Sequence, residues 1–329
     1  MSLTHRERLE TILSGEQPDR PAIALWHHFP VDDQNPLTLA KATAAFQQRF
    51  DFDLIKVMPT SSYCLKDWGA DDTWCGDPEG TRDYTERVIK HPDDWERLTI
   101  LDPNKGHLGQ QLQCLDLLSE TFADHTPILQ TIFNPLSQAK NLVGPKTLLE
   151  HLRLYPDALH RGLARIQETT LHYIEASKQH GISGIFYAIQ HASFLEMTEQ
   201  EYKEFGVAYD LPLLNAADNL WANMAHIHGD AIMFDLIADY PVQILNWHDR
   251  ETSPSLAEGL QRFPGTVCGG ISRVEGFVLG NPKTIREEAL TAIEQTEGKR
   301  LILGTGCVLP LTTPYGNIMV ARQVVEEIH

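Results

Sequence analysis

Two histidines separated by a single residue, His226 and His228, are well placed in this sequence to hold a metal ion. If residues 223–228 form a strand, both imidazoles lie on the same face, because successive side chains of a strand alternate between faces. Two such imidazoles chelate one ion, and a thiolate such as that of Cys307 is a natural third ligand for zinc. The pattern therefore predicts a zinc site. The alternative, a pair of hydrogen-bonded core histidines, stays open at this point.

The elements that must position these residues alternate between strands and helices along the sequence. Short apolar segments are followed by helical patterns, which predicts eight βα units. The strands are predicted at residues 22–26, 53–58, 127–133, 183–189, 223–228, 242–247, 266–270 and 300–303. This order is typical of a (β/α)₈ barrel (a TIM barrel), and we expect residues 1–329 to form it as a single domain. A doubly wound open sheet is disfavoured, because no glycine-rich dinucleotide fingerprint follows the first strand.

Residues 60–100 interrupt the alternation and are rich in aspartate, tryptophan and glycine. We predict a hairpin there, with its turn around residues 77–80 and flanking strands at 73–76 and 81–89. We interpret this segment as an insertion near the rim of the barrel rather than as a separate domain.

Catalytic groups of such barrels lie at the carboxyl ends of the strands, and this rule selects a small set of side chains. We expect three of them to act in catalysis by orienting ligands or substrate: His191, His248 and Asp249. The residues expected to bind substrate are Trp26, His27, His28, Lys56 and Asn134. The fifth and eighth strands are not adjacent, but their ends are close enough across a narrow barrel mouth to share one ion.

The composition limits the partners and the compartment. A formal net charge of −18 argues against nucleic acid or an anionic membrane as the main partner, since both need a basic surface. Five cysteines, an odd number at irregular spacings, indicate a reducing compartment. The N-terminus does not resemble a signal peptide, and no apolar run approaches the roughly 18 residues of a membrane span. We therefore expect a cytoplasmic protein that acts on a small molecule.

Several segments resemble the uroporphyrinogen decarboxylase superfamily, a barrel family that also contains corrinoid-dependent methyltransferases. The resemblance extends over nearly the whole chain and lies in residues 6–21, with the run Gly-Glu-Gln-Pro-Asp-Arg-Pro, and in residues 52–56, 184–187, 198–205, 301–310 and 313–318. It implies the same barrel fold.

The decarboxylase branch of the superfamily is expected to have an arginine-rich segment after the first strand that binds the carboxylates of its substrate. Here that position holds residues 26–30, which contain no arginine. The acidic residue expected after the second strand is replaced by residues 58–61, and Gly306 or Cys307 stands where the closing loop would carry a histidine. Arg250 and Arg273 are the remaining candidates for binding a carboxylate, and we include Arg273 among the substrate-binding residues.

The methyltransferase branch is expected to bind zinc through a His-x-Cys pair on the fifth strand and a cysteine after the eighth. His226, His228 and Cys307 match that arrangement, with histidine in place of the first cysteine. The resemblance is therefore closer to this branch than to the true decarboxylase.

The leading hypothesis is zinc-assisted transfer of a methyl group from a methylated corrinoid to a thiol. The corrinoid would be carried by a partner protein that binds over the barrel mouth. Two alternatives remain: a metal-dependent hydrolase, and a metal-free protein of the same family, either a decarboxylase of a porphyrinogen or smaller acid or a binding protein. The sequence does not fix the oligomeric state.

Overall fold

The computed structural model describes residues 2–328; the predicted domain limits at residues 1 and 329 lie outside them. The described residues form ten strands: β1 Ala22–Ile23, β2 Ile55–Val57, β3 Asp71–Thr73, β4 Asp83–Glu86, β5 Ile128–Phe133, β6 Gly184–Ile189, β7 Met224–Ile227, β8 Ile244–Trp247, β9 Thr266–Ile271 and β10 Leu301–Thr305. Eight of them form one parallel sheet in the order β1-β10-β9-β8-β7-β6-β5-β2. The other two, β3 and β4, form an antiparallel hairpin.

The two ends of the eight-stranded sheet meet at Asp53, just before β2. Its backbone N–H donates to the carbonyl of Ile23 in β1 at 2.9 Å. Its carboxylate accepts the N–H of Ile23 at 2.8 Å. These two bonds join the first and last strands of the sheet, and the predicted (β/α)₈ barrel is confirmed.

Helices cover the outside of the barrel and connect its strands. They are α1 His5–Leu13, α2 Pro36–Phe50, α3 Gly106–Phe122, α4 Pro135–Val143, α5 Pro145–Leu154, α6 Pro156–Ser177, α7 Glu199–Tyr202, α8 Ala208–Ala216, α9 Phe234–Ala238, α10 Leu256–Arg262, α11 Pro282–Gln295 and α12 Tyr315–Glu327. A π-helical turn, Lys203–Val207, joins α7 to α8. Among residues 2–328, no helix combines the length and apolar character needed to cross a membrane.

The strand boundaries differ from the predicted ones at three places that matter for the site. β1 contains only two of the five predicted residues, because the chain then changes its hydrogen-bonding partner: the Trp26 carbonyl accepts from Leu309, beyond β10. β7 ends at Ile227, so His228 follows the strand. β10 extends to Thr305, which places Cys307 two residues after its end.

The predicted hairpin insertion is present. Its first strand begins two residues earlier than expected, so that only Thr73 lies within the predicted range, and its second strand is shorter than expected. Two hydrogen bonds attach it to the carboxyl end of the barrel: Leu311 N–H donates to the Pro78 carbonyl at 2.7 Å, and Arg82 Nη1 donates to the Pro30 carbonyl at 2.8 Å. The residues between the two strands therefore lie beside the barrel mouth. We refer to residues 77–81 as the hairpin tip.

A buried ionic cluster stabilises the opposite, amino-terminal end of the barrel. The Asp53 carboxylate contacts Arg8 Nη1 at 2.8 Å, Arg20 Nη1 at 2.7 Å and His5 Nδ1 at 2.9 Å. Burial alone would raise the pKa of Asp53, but these partners hold it well below its ordinary value. The cluster ties α1 and the following turn to the start of β2.

Candidate metal centre

Four metal-ligating side chains converge at the carboxyl end of the barrel: His226, His228, His248 and Cys307. His226 lies in β7. His228 follows the strand but continues its pairing with β6, since the His228 N–H donates to the Ile189 carbonyl at 2.9 Å. Their side chains therefore share one face of the strand. One potential ligand atom from each of the four residues lies within 4.8 Å of all the others.

The spacing of these atoms fits a zinc ion. His226 Nε2 lies 3.7 Å from Cys307 Sγ, and His228 Nδ1 lies 3.8 Å from the same sulfur. His228 Nδ1 is 3.3 Å from His248 Nε2. Ordinary zinc bond lengths in a tetrahedron separate two nitrogens by about 3.4 Å, and a nitrogen from a sulfur by about 3.6 Å. Three imidazoles and one thiolate are also a donor set that zinc prefers.

His248 joins the centre because of the register between neighbouring strands. In the parallel pairing of β7 with β8, His226 lies opposite Asn246. Two residues further along, His228 and His248 are therefore neighbours. From its position after a strand, His248 was predicted to orient ligands or substrate and not to be a fourth potential ligand. The signal for that role is the second histidine two residues beyond the Asn246 position that pairs with His226.

The charges around Cys307 favour its ionised form. Burial raises the pKa of the thiol, but the imidazoles of His226, His228 and His248 outweigh this, so that the pKa lies well below its ordinary value. For His248, burial lowers the pKa, whereas Cys307 and Glu251 raise it to about 9. The centre therefore stabilises the thiolate that zinc requires. His248 must lose a proton to act as a ligand, so metal binding there would release that proton.

Asn246 fixes the orientation of His226. The Asn246 amide nitrogen donates to the carbonyls of Cys268 at 2.8 Å and Thr305 at 2.9 Å. Its oxygen is therefore the acceptor that faces His226 Nδ1, at 2.6 Å. Because Nδ1 carries the proton, the lone pair of Nε2 is directed toward Cys307. Asn246 is fully buried and has a positioning role that the sequence analysis did not assign.

Gly306 allows the Cys307 loop to approach β8. A Cβ atom built at this position would lie 2.5 Å from the Cα atom of His248 and 2.7 Å from the Trp247 carbonyl oxygen. No other residue type fits without a backbone shift. The glycine thus permits the close contact that brings Cys307 beside His248.

A cavity that holds about 100 Å³ adjoins the centre and opens toward solvent. It is lined by Trp26, His28, Lys56, Met58, Pro59, Glu79, Thr81, Thr131, Phe133, Phe186, Ala188, Gln190, His226, His228, Cys307 and Val308. Among these described lining residues, Lys56 is the only lysine or arginine. Its Nζ lies 4.0 Å from the Phe186 ring centroid and 2.6 Å from Met58 Sδ. Burial lowers the pKa of Lys56 to about 7, although Cys307 opposes this shift.

The sequence model of the uroporphyrinogen decarboxylase (URO-D) family matches residues 4–328. The chain belongs to this family. The membership expected from the sequence segments is thereby confirmed.

Relatives of this uroporphyrinogen decarboxylase family member include proteins from both branches. The methylcobamide:CoM methyltransferase MtbA of Methanosarcina acetivorans is 21% identical over 337 residues, which cover 96% of this chain and 95% of that protein. The uroporphyrinogen decarboxylase of Prochlorococcus marinus (strain NATL1A) is 25% identical over 170 residues, 50% of this chain and 46% of that protein. The nearly full-length match supports the expected position closer to the methyltransferase branch.

The fold has a counterpart of known structure. A methyltransferase from Methanosarcina mazei superposes with a TM-score of 0.87 at 19% identity, covering 99% of both chains. This similarity extends over the whole barrel, and it supports the barrel assignment for the family member described here.

Three of the expected substrate-binding residues line the cavity: Trp26, His28 and Lys56. The Trp26 ring packs edge-on against Phe186, with 5.5 Å between the ring centroids. His28 Nδ1 is buried, and it has no hydrogen-bond partner within residues 2–328. Burial lowers the pKa of His28 to about 3, so that its imidazole is neutral at physiological pH.

The other three expected substrate-binding residues lie elsewhere. His27 is in an aromatic cluster with Phe29 and Phe46 outside the barrel. Asn134 caps α4, since its side chain accepts the Ser137 N–H at 3.0 Å, and its amide donates to the buried Asp210. Arg273 forms ion pairs with Glu79 and Glu251, and it is not among the described residues that line the cavity. These local partners could not be foreseen from strand-end position alone.

The two remaining expected catalytic residues are buried near the centre but do not line the cavity. His191 is 4% exposed, and its Nδ1 has no hydrogen-bond partner among the described residues. Burial lowers the pKa of His191 to about 3, and Lys140 and His228 shift it in the same direction. Asp249 faces β9, where it accepts the Gly270 N–H at 3.1 Å. Burial raises the pKa of Asp249 to about 7.

Proposed function

We propose that this protein is a zinc-dependent methyltransferase that moves a methyl group from a methylated corrinoid to a thiol. The observation that carries the proposal is the convergence of His226, His228 and Cys307 beside an open cavity, at distances suited to one zinc ion. Zinc held by these residues, with His248 within reach, would supply the Lewis acidity that keeps a substrate thiol deprotonated at neutral pH.

The residues of the cavity provide the rest of the site for the thiol. Trp26, Phe133 and Phe186 form an apolar wall that limits the access of water to the centre. Lys56 lies next to this wall, and an acidic group at the other end of the acceptor thiol would stabilise its charged ammonium form against the effect of burial. Asn246 and the thiolate-stabilising imidazoles hold the protein's own ligand atoms in place before the substrate arrives.

The methyl donor must approach from outside the barrel, because a corrinoid macrocycle is too large for the cavity. In the transfer, the carbon–cobalt bond breaks, a carbon–sulfur bond forms, and the electron pair of the broken bond stays with the corrinoid. A corrinoid-bearing protein bound over the open end of the barrel would place the methyl group above the cavity. The Methanosarcina acetivorans relative is a methylcobamide:CoM methyltransferase, which supports this choice of donor.

An assay with methylcobalamin as donor tests the reaction. The zinc-loaded protein is incubated with methylcobalamin and either 3-mercaptopropionate or propanethiol, and the methyl thioether is quantified. We expect zinc-dependent methylation, with the acidic thiol preferred. Hydrolysis of an ester or amide substrate without methyl transfer would favour the metal-dependent hydrolase instead. Decarboxylation of a porphyrinogen by the metal-free protein would overturn the proposal in favour of the decarboxylase.

A further inference from the structure

An ionic row connects the hairpin tip to the metal centre. His248 Nδ1 lies 3.0 Å from Glu251 Oε2. Glu251 Oε1 accepts from Arg273 Nε at 3.0 Å, and Arg273 Nη1 donates to Glu79 Oε1 at 2.6 Å. The row Glu79–Arg273–Glu251–His248 thus joins a residue of the cavity wall to a potential ligand of the ion.

Each inner member of the ionic row contacts two partners at once. Glu251 uses one carboxylate oxygen for His248 and the other for Arg273. Arg273 uses two different nitrogens of its planar guanidinium for Glu251 and Glu79. A guanidinium that bridges two carboxylates fixes their relative positions, which a flexible ammonium does not do. A displacement at one end of the row is therefore passed to the other.

At its outer end, the row holds the hairpin tip against the cavity. Glu79 and Thr81 both line the cavity. The tip also packs closely on the barrel mouth, since a Cβ atom at Gly80 would lie 2.5 Å from the Cβ atom of His28. The Leu311 N–H donates to the Pro78 carbonyl, which ties the tip to the segment that follows Cys307. This part of the cavity wall therefore depends on the position of the tip.

At its inner end, the row sets the orientation of one imidazole. The side chain of His248 is 5% exposed, and its Nε2 faces His228 Nδ1 at 3.3 Å. A carboxylate on the other ring nitrogen fixes the rotation of a ligand histidine and increases its basicity. Glu251 is in the position to do both for His248.

We propose that Glu251, Arg273 and Glu79 are positioning residues that couple closure of the hairpin tip over the cavity to the orientation of His248 in the metal centre. This inference rests on the proposed function, because it assumes that the centre binds a metal. It reassigns Arg273, which the sequence analysis placed among the substrate-binding residues, to a structural link between cavity wall and ligand. The partner or substrate that moves the tip would then alter the metal centre without touching it.

Cobalt binding tests the coupling without relying on activity. The metal-free protein is titrated with Co²⁺, which gives visible absorption bands that depend on the number and geometry of its ligands. We expect Glu251→Gln to weaken Co²⁺ binding by about 10- to 100-fold, the usual effect of losing a partner of a ligand histidine. Glu79→Gln should weaken it by about 2- to 30-fold and change the spectrum in the same direction, although Glu79 touches no ligand.

Glu86→Gln is the matched control. Glu86 lies on β4 of the same hairpin, where it pairs with the exposed Lys90 at 2.5 Å, and no ion pair of the described residues links it to His248. The control should bind Co²⁺ as the wild type does. The single variant Arg273→Ala and the double variant Glu79→Gln/Arg273→Ala are measured as well. The loss of Co²⁺ affinity in the double variant should be smaller than the product of the two single fold-losses, because both changes break the same row.

The outcomes separate this inference from the function it rests on. If the wild-type protein gives no Co²⁺ spectrum, the proposed function fails, and the inference fails with it. If the wild type binds Co²⁺ but Glu79→Gln has the affinity and spectrum of Glu86→Gln, the inference alone is overturned. Thermal melting of each variant shows whether the fold is intact, and the isosteric glutamate-to-glutamine changes at partly exposed positions should leave it so.

Discussion

His226 illustrates how the candidate metal centre depends on a residue that is not itself a potential ligand. Its Nε2 faces Cys307 because Asn246 accepts the proton of Nδ1, and Asn246 is itself held by two carbonyls. The sequence predicts the histidine from its spacing. It does not predict the asparagine, because the contact depends on the pairing of β7 with β8.

Removing this support should weaken metal binding. In Asn246→Ala, His226 loses the acceptor that fixes its tautomer and ring rotation, and we expect the zinc dissociation constant to rise by about 10- to 100-fold. Competition with a chromogenic chelator measures this. Asn223→Ala is the control, since Asn223 is equally buried at the opposite end of the same strand, where its side chain accepts the Ile185 N–H. A zinc affinity of Asn246→Ala equal to that of the control would contradict the assigned role.

At the scale of elements, the carboxyl-end rule identifies most of the residues near the site, and local packing decides which of them reach it. Trp26, His28 and Lys56 do line the cavity. Asn134 does not, because it caps α4. A position at the end of a strand gives the depth of a residue in the barrel, but not the direction or the partners of its side chain. Those depend on contacts with residues distant in sequence.

The loop after β10 depends on Gly306 for its close contact with β8. Gly306→Ala would place a methyl group against the backbone of His248, so the two segments must separate. We expect a loss of about 1–3 kcal/mol in the free energy of unfolding, as for other overpacked sites. Zinc affinity should also fall, since Cys307 moves away from the imidazoles. Chemical denaturation and chelator competition measure the two effects.

Gly316→Ala provides the control for this loop. Gly316 lies in α12, and a Cβ atom there meets no other atom within 4 Å. Alanine should stabilise the helix by up to about 1 kcal/mol and leave zinc binding unchanged. Equal stability and equal zinc affinity in the Gly306→Ala and Gly316→Ala proteins would refute the importance of the close contact.

At the scale of the whole molecule, the order of strands and helices was sufficient to predict the barrel, because each βα unit has its own periodicity and boundaries. The junction between the first and last strands was not predicted. It depends on Asp53, whose carboxylate contacts Arg8 and Arg20 from a segment more than thirty positions earlier in the chain. Sequence spacing alone does not identify such partners.

Asp53→Asn should destabilise the barrel from its amino-terminal end. The change leaves two buried guanidinium groups without their common carboxylate, and we expect a loss of about 3–5 kcal/mol in the free energy of unfolding. Asp71→Asn, on the exposed face of β3, should have little effect. Chemical denaturation at neutral pH measures both variants, and a loss no larger than that of the control would contradict the structural role of the cluster.

The same carboxylate predicts a dependence on acid. The pKa of Asp53 is lower in the folded protein than its ordinary value of 3.8, so the unfolded chain binds more protons in this range. The stability from the cluster is therefore complete above about pH 5 and is lost as the pH falls through 3.8 toward the folded pKa. The wild type should lose stability over this interval more steeply than Asp53→Asn, as measured by denaturation at a series of pH values.

The zinc content of the protein purified without chelators tests the central claim most directly. We predict about one equivalent of zinc per chain by elemental analysis, as in other sites of this donor set. In Cys307→Ser most of this zinc should be lost, whereas Cys114→Ser, the same change at a buried helical position, should retain it. A wild-type protein without metal, or a Cys307→Ser variant with its full equivalent of zinc, would contradict the account.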